Sequence, residues 1–188
     1  MIADRAEALA ANSETVRRQA VLESALETFS RFGYRKTSMD DVAKAAHISR
    51  PGLYFLFESK PALFRLATTH ALNRDLGLIA KKLAESDLPL KARLIDAFDL
   101  WAGSYIGPLA GEVIGVIDAD PSLIGSILVD APVMFEKIIT QAVSKSSPTD
   151  GAARARTLIS TSIGIKHQVT SREVYLEQLA VAVELLLK

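Results

Sequence analysis

The sequence predicts an all-α protein of about nine helices, in which a three-helix N-terminal unit precedes a longer helical domain. Three observations predict it. Apolar residues recur at helical spacing in one segment after another. No Val/Ile/Thr alternation of strand type occurs. The stretch 37–64, TSMDDVAKAAHISRPGLYFLFESKPALF, reads as two short helices around a tight turn, followed by the start of a third, longer one.

Composition fits a globular chain. The 188 residues suffice for one sizeable core or two small ones, and 49% of them are apolar. The chain has 22 basic and 22 acidic residues, so any attraction to nucleic acid must come from a local patch. The absence of cysteine excludes a disulfide scaffold, a cysteine metal site and a cysteine nucleophile, and it fits a reducing cytoplasm. The opening MIADRAEALAANSE has no basic region leading into an apolar run, so no signal peptide is expected. No apolar run approaches the roughly 18 residues needed to span a bilayer.

Taken in order, residues 1–13 read as a short mobile arm or a frayed helical lead. A helix over 13–32 puts Val16, Ala20, Leu22, Ala25, Leu26 and Phe29 on its inner face, and Gly33 stops it. Arg17, Arg18 and Arg31 lie outside as a solvated face. The next helix spans 38–46. Thr37 and Ser38 are N-cap residues, Asp40 and Asp41 lie three residues beyond them, and Met39, Val42, Ala43 and Ala46 form one apolar face. His47-Ile48 makes the turn. Ser49 caps a helix reaching 57, with Pro51 in its first turn, Leu53 and Phe57 inward, and Arg50, Gly52, Tyr54 and Phe55 available. A short helix, a tight turn and a second short helix is the arrangement that lays its second helix in the DNA major groove.

The residue types fit that use. Arg50 can reach a guanine edge or a phosphate. Pro51 and Gly52 allow the backbone to approach bases. The Tyr54 hydroxyl has no obvious inward partner and suits a phosphate. Phe55 is either a packing residue within the domain or an apolar contact to thymine methyls and sugars. Arg35 and Lys36 precede the capped helix as phosphate candidates, and Thr37, Ser38 and Ser49 combine capping with phosphate donation. A fourth helix, over 59–84, carries Lys60 in its first turn. A cation there opposes the helix dipole, so a bound phosphate would give it a purpose.

These residues resemble the DNA-binding motif of the TetR-like (tetracycline-repressor) transcriptional regulators. Thr37, Ser38, Val42, Ala43, Ala46, Ile48, Ser49, Pro51, Leu53, Tyr54, Phe57, Ser59, Lys60 and Leu63 match the family pattern without gaps. Three positions depart from it. His47 stands where Gly is usual, though His tolerates positive φ better than most side chains. Leu56 replaces a common His or Tyr, and Gly52 replaces a frequent Thr; each removes a polar contact to DNA. The resemblance implies a DNA-binding domain over 14–58 and a ligand-sensing and dimerisation domain over 59–188. It also implies phosphate contacts from Tyr54 and Lys60, a cytoplasmic repressor of double-stranded operator DNA, and release by a small-molecule effector.

The rest of the chain reads as helix. Segment 88–105 carries Leu90, Leu94, Ala97, Phe98, Trp101 and Tyr105 at helical spacing, while 103–125 is broken by glycine and proline. A helix over 122–144 follows, then the turn KSSPTDG and two final helices over 152–169 and 171–187. Phe98, Trp101, Tyr105, Met134 and Phe135 either pack as core or line an effector cavity, with His167 a further candidate. Asp96, Asp99, Glu112, Asp118 and Asp120 are a solvated face or meet a cationic ligand. The final helices are apolar around more than one face, so they bury two sides. In the resembled family this pair forms a four-helix interface with a second copy, which assigns Leu158, Ile159, Ser162, Ile163, Leu179, Val183 and Leu186 to a homodimer.

An enzyme is not expected: the chain has no G-x-S-x-G, H-E-x-x-H or Walker sequence, and His47, His70 and His167 are too scattered for a metal site. No cofactor is expected. The remaining alternative is a small-molecule-binding adaptor whose DNA motif has decayed.

Overall fold

Eight α-helices account for most of the chain in the computed structural model, which describes residues 2–85, 87–107, 115–117 and 120–187. They are α1 (Ile2–Phe32), α2 (Met39–Ala45), α3 (Arg50–Leu56), α4 (Lys60–Ala84), α5 (Leu90–Trp101), α6 (Ile127–Ser146), α7 (Gly151–Gln168) and α8 (Arg172–Leu186). Helical residues at 115–117 and 3-10 turns at Gly103–Tyr105 and Pro121–Leu123 complete the helical content of the described residues. No strand occurs among the described residues. No helix among them is long and apolar enough to cross a membrane.

The chain forms two compact units. One is Met1–Ala71 with Glu112–Gly125; the other is Leu72–Gly111 with Ser126–Lys188. This differs from a division at 58/59. The first turns of α4 bury Leu63, Phe64 and Ala67 in the core of the first unit, so the boundary falls inside a continuous helix. Part of the glycine-rich segment also belongs to the first unit. Ile124 is buried there, and Arg65 Nε donates to the Leu123 carbonyl at 3.0 Å.

The core of the first unit is aromatic. The Phe29 ring meets Tyr34 at 5.5 Å and Phe64 at 5.4 Å. Val21, Leu22 and Ala25 add the rest of α1's inner face. Val16 and Ala20, expected on that face, are exposed instead, Val16 at 57%. The α1 backbone continues as helix back to Ile2, through the segment expected as a mobile arm or helical lead.

In the second unit Phe98, Phe135 and Trp101 pack on one another. Trp101 stacks on Phe135 with centroids 4.5 Å apart and planes 7° apart, and Phe98 meets Phe135 edge-on at 5.3 Å. Tyr175 of α8 is fully buried, and its hydroxyl lies 2.7 Å from that of Ser162 on α7. Burial pushes the Tyr175 phenol up to about 12. Ser171 caps α8 by accepting from the Val174 amide, and an Arg154 guanidinium N–H donates to the Leu186 carbonyl at its far end. α6 and α7 approach so closely at Gly151 that an added Cβ would stand 2.5 Å from the Ser144 Cα.

Candidate nucleic-acid interface

Local sequence signals set the geometry of α2 and α3. Ser38 is the N-cap of α2 in a complete capping box: the Asp41 amide donates to the Ser38 hydroxyl oxygen at 3.2 Å, and the Ser38 amide donates to the Asp41 carboxylate at 2.8 Å. The Ser38 hydroxyl also donates to the Asp41 carboxylate at 2.6 Å, and this bond first, then that of the Ser38 amide, holds the Asp41 carboxyl below its ordinary range. α2 ends with the His47 amide bonded to the Lys44 carbonyl and the Ile48 amide to the Ala43 carbonyl. This is the paired closure of a helix C-terminus that requires a left-handed residue. His47 supplies it at φ 53, the one positive-φ residue other than glycine among the described residues. Ser49 then caps α3 by accepting from the Gly52 amide at 3.2 Å, with Pro51 in the first turn.

The short helix α3 has one anchored face and one free face. Leu53 and Phe57 are buried at 0% and 2% exposure. Arg50 and Pro51 are exposed, Tyr54 is 44% exposed and Phe55 is 85% exposed. An aromatic ring so open is not a packing residue within its own domain. The Arg50 guanidinium sits 5.8 Å from the Tyr54 ring centroid. Gly52 is tight: a Cβ there would stand 3.0 Å from Ser49 Oγ and crowd the cap.

Around this face, Lys36 and Arg35 are exposed. Lys60, at the start of α4, lies over the Tyr34 ring at 4.4 Å, and its ammonium donates to the Arg35 carbonyl at 3.4 Å. Partial burial lowers the Lys60 pKa, and burial, with Asp120 nearby, raises that of Tyr34. Lys44 is paired with Asp40 at 2.7 Å on the solvent side. Thr37 differs from expectation. It is 3% exposed and its hydroxyl donates to the Gly33 carbonyl at 2.8 Å, so its side chain closes the α1–α2 turn and cannot reach a phosphate. Ser38, not Thr37, is the cap. Arg18, expected on a solvated face, instead donates through its guanidinium to the Leu56 carbonyl at 3.1 Å and lies 4.7 Å from the Phe57 centroid.

In the second unit an open cavity of about 390 Å³ is lined by Tyr105, Ile106, Gly107, Lys166, Val169 and Thr170. Of the six residues expected at an effector site, only Tyr105 borders it. Phe98 and Phe135 are buried in the aromatic stack with Trp101, while Met134 and His167 are exposed. The Tyr105 hydroxyl donates to buried Asp75 at 2.7 Å, and Arg74 pairs with the same carboxylate at 2.9 Å. Burial first, then this bond, pushes the Tyr105 phenol well above its ordinary range. The acidic residues are largely engaged: Asp96 with Lys82, Asp99 with Arg172, and Asp120 as a turn cap; Glu112 and Asp118 lie outside the described residues. No three His, Asp or Glu side chains gather as a metal site among the described residues.

The α7 and α8 faces also differ from expectation. Leu158, Ser162, Leu179 and Val183 are buried within their own chain, and Ile159 and Leu186 are half-buried. The face turned outward carries Ile163 at 54% exposure, Val174, Val181 at 60% and Leu185 at 61%.

Comparison with known proteins agrees with this geometry. The profile of the bacterial regulatory proteins of the tetR family matches residues 21–67. The HTH-type transcriptional regulator RutR of Escherichia coli (strain K12) is 28% identical over 130 residues, covering 58% of this chain. The chain thus spans 61% of that relative's length. The HTH-type negative transcriptional regulator IcaR of the Staphylococcus aureus (strain Newman) biofilm operon icaADBC is 36% identical over 44 residues, 23% of this chain and 24% of IcaR. A Mesorhizobium loti protein assigned to the TetR family superposes with a TM-score of 0.73 at 16% identity, covering 92% of this chain and 96% of that one. That likeness speaks for the fold.

Proposed function

We propose that the chain, whose residues 21–67 match the tetR family of bacterial regulatory proteins, is a sequence-specific DNA-binding regulator of that family, a repressor that acts as a homodimer on a near-palindromic operator. The observation that carries this reading is the free face of α3. Leu53 and Phe57 hold the helix from below, and Arg50, Tyr54 and Phe55 are exposed on its other face. Arg50 would read a guanine edge, and Pro51, Gly52 and Phe55 would meet thymine methyls. Tyr54, Ser49, Ser38, Lys36 and Lys60 would hold phosphates and fix the register. The outward face of α7 and α8, through Ile163, Val174, Val181 and Leu185, would pack on a second copy. A two-fold dimer presents two copies of α3 to successive major-groove faces, which is the reason to expect a near-palindrome. Similarity to a negative regulator favours repression.

The effector would bind in the second unit, at the cavity bordered by Tyr105, Ile106 and Val169. α4 begins in the first unit and ends in the second, so a ligand that favours one position of α4 changes where Lys60 and α3 stand on DNA. Such a switch requires different ligand affinity in the two states; tight binding alone moves nothing. This reading needs no cofactor and no catalysis, and it sets the protein in a cytoplasm with its DNA. The test is selection of duplexes from a random-sequence pool by the purified protein. An enriched two-fold-symmetric sequence is expected. A pool that stays random after several rounds would favour the adaptor with a decayed motif.

A further inference from the structure

We propose that Arg18 of α1 is a positioning residue for α3, setting the orientation in which the helix meets bases while making no DNA contact itself; this rests on the DNA-binding reading above. α3 has only seven residues, so it makes few internal bonds and depends on its buried Leu53 and Phe57 and on what fixes its two ends. Its N-terminal end is fixed by Ser49. At its C-terminal end the Phe57 amide closes on the Leu53 carbonyl, and the Leu56 carbonyl points past the last turn. The Arg18 guanidinium occupies that place. It donates to the Leu56 oxygen at 3.1 Å and lies 4.7 Å from the centroid of the buried Phe57 ring. Three effects act together there: a charge-assisted hydrogen bond, a cation over an aromatic face, and a cation at the negative end of a helix.

The consequence follows from the shape of α3. Arg18 stands 38 residues away in sequence and ties the end of α3 to α1, the long helix of the same unit. The adjacent outward residues are Tyr54 and Phe55. If the far end of α3 is released, the helix frays or tilts about Ser49, and side chains aimed at base edges lose their register before phosphate contacts are lost. Arg18 should therefore govern discrimination between sequences more than overall attraction to DNA.

The test uses the full-length protein, the duplex it selects from a random pool and a scrambled duplex of equal length, with anisotropy measured across a salt series. Arg18→Ala should bind the selected duplex about tenfold more weakly, the scale of one good base contact. Its affinity for the scrambled duplex and the slope of log K against log salt should be unchanged. Amides of α3 should exchange faster with deuterium, and Arg18→Lys, which keeps the charge but loses the planar fork, should fall between. Equal loss on both duplexes with the slope reduced by about one would mean a phosphate contact and overturn the proposal. A lowered melting temperature with an unchanged specificity ratio would make Arg18 merely structural and overturn it also. If Arg18→Ala does not fold, an Arg18→Lys protein with wild-type discrimination and α3 exchange overturns it equally. If the wild-type protein selects no sequence, the DNA-binding reading itself fails.

Discussion

Replacement of His47 tests how the turn between α2 and α3 is made. His47 sits at φ 53 and closes α2 with bonds from its own amide and from Ile48. A side chain in that region costs about 1–2 kcal/mol relative to a right-handed residue. His47→Gly removes the penalty, but the unfolded chain gains freedom that offsets about 0.4–1 kcal/mol of it. The difference leaves His47→Gly more stable by up to about 1.6 kcal/mol. His47→Val adds a β-branched side chain where such residues are genuine outliers, so it should be less stable than wild type by about 1–2 kcal/mol. Urea melts followed by far-ultraviolet circular dichroism give the order: Gly most stable, then His, then Val. Equal stability of His47→Val and wild type, or clear destabilisation by His47→Gly, would refute the left-handed closure.

Other substitutions and conditions probe separate parts of the fold. Ser38→Ala removes the α2 cap and should cost about 1 kcal/mol in the same melts. Gly151→Ala drives a Cβ to 2.5 Å from the Ser144 backbone, so it should cost about 1–3 kcal/mol in thermal melting, with little relief from side-chain movement. Tyr175 keeps its proton to about 12 in the folded state, whereas the unfolded phenol releases it near 10.0. Stability is thus intact below pH 10.0 and falls by up to about 1.4 kcal/mol per pH unit up to about pH 12, a loss that Tyr175→Phe should lessen in alkaline melts. Val181→Glu and Leu185→Glu, on the outward face of α8, should give a folded monomer by analytical ultracentrifugation, whereas Leu179→Glu, buried at 0% exposure, should unfold the chain.

What was legible in the sequence was what neighbouring residues decide. The Ser38–Asp41 box, the Ser49 cap, Pro51 and the i, i+3, i+4 spacing of Met39, Val42 and Ala43 act within one or two turns, and the structure has them as expected. The left-handed His47 follows from the same local logic. What was missed depends on distant partners. Arg18 is a type common on surfaces, and only Leu56, 38 residues away, reveals why it turns inward; Thr37 is the local exception, its hydroxyl bonded to Gly33 four residues back where a cap was expected. On α7 and α8 the apolar residues cover too wide an arc for spacing to say which side faces the core. Tyr175 decides it by reaching Ser162, which draws Leu158, Leu179 and Val183 inward and leaves Ile163, Val181 and Leu185 outside. The aromatic residues of α5 and α6 had the composition of a pocket, yet Trp101 and Phe135 fill the space with each other.

The most direct measurement is binding of the purified protein to the DNA immediately upstream of its own gene, by fluorescence anisotropy across a salt series, against a scrambled fragment of equal length. A regulator that reads sequence through α3 should bind the upstream fragment tightly and keep its preference as salt rises, because base contacts survive when counterion release is suppressed. Weak binding that is equal for both fragments and vanishes with salt would contradict sequence-specific recognition at that site.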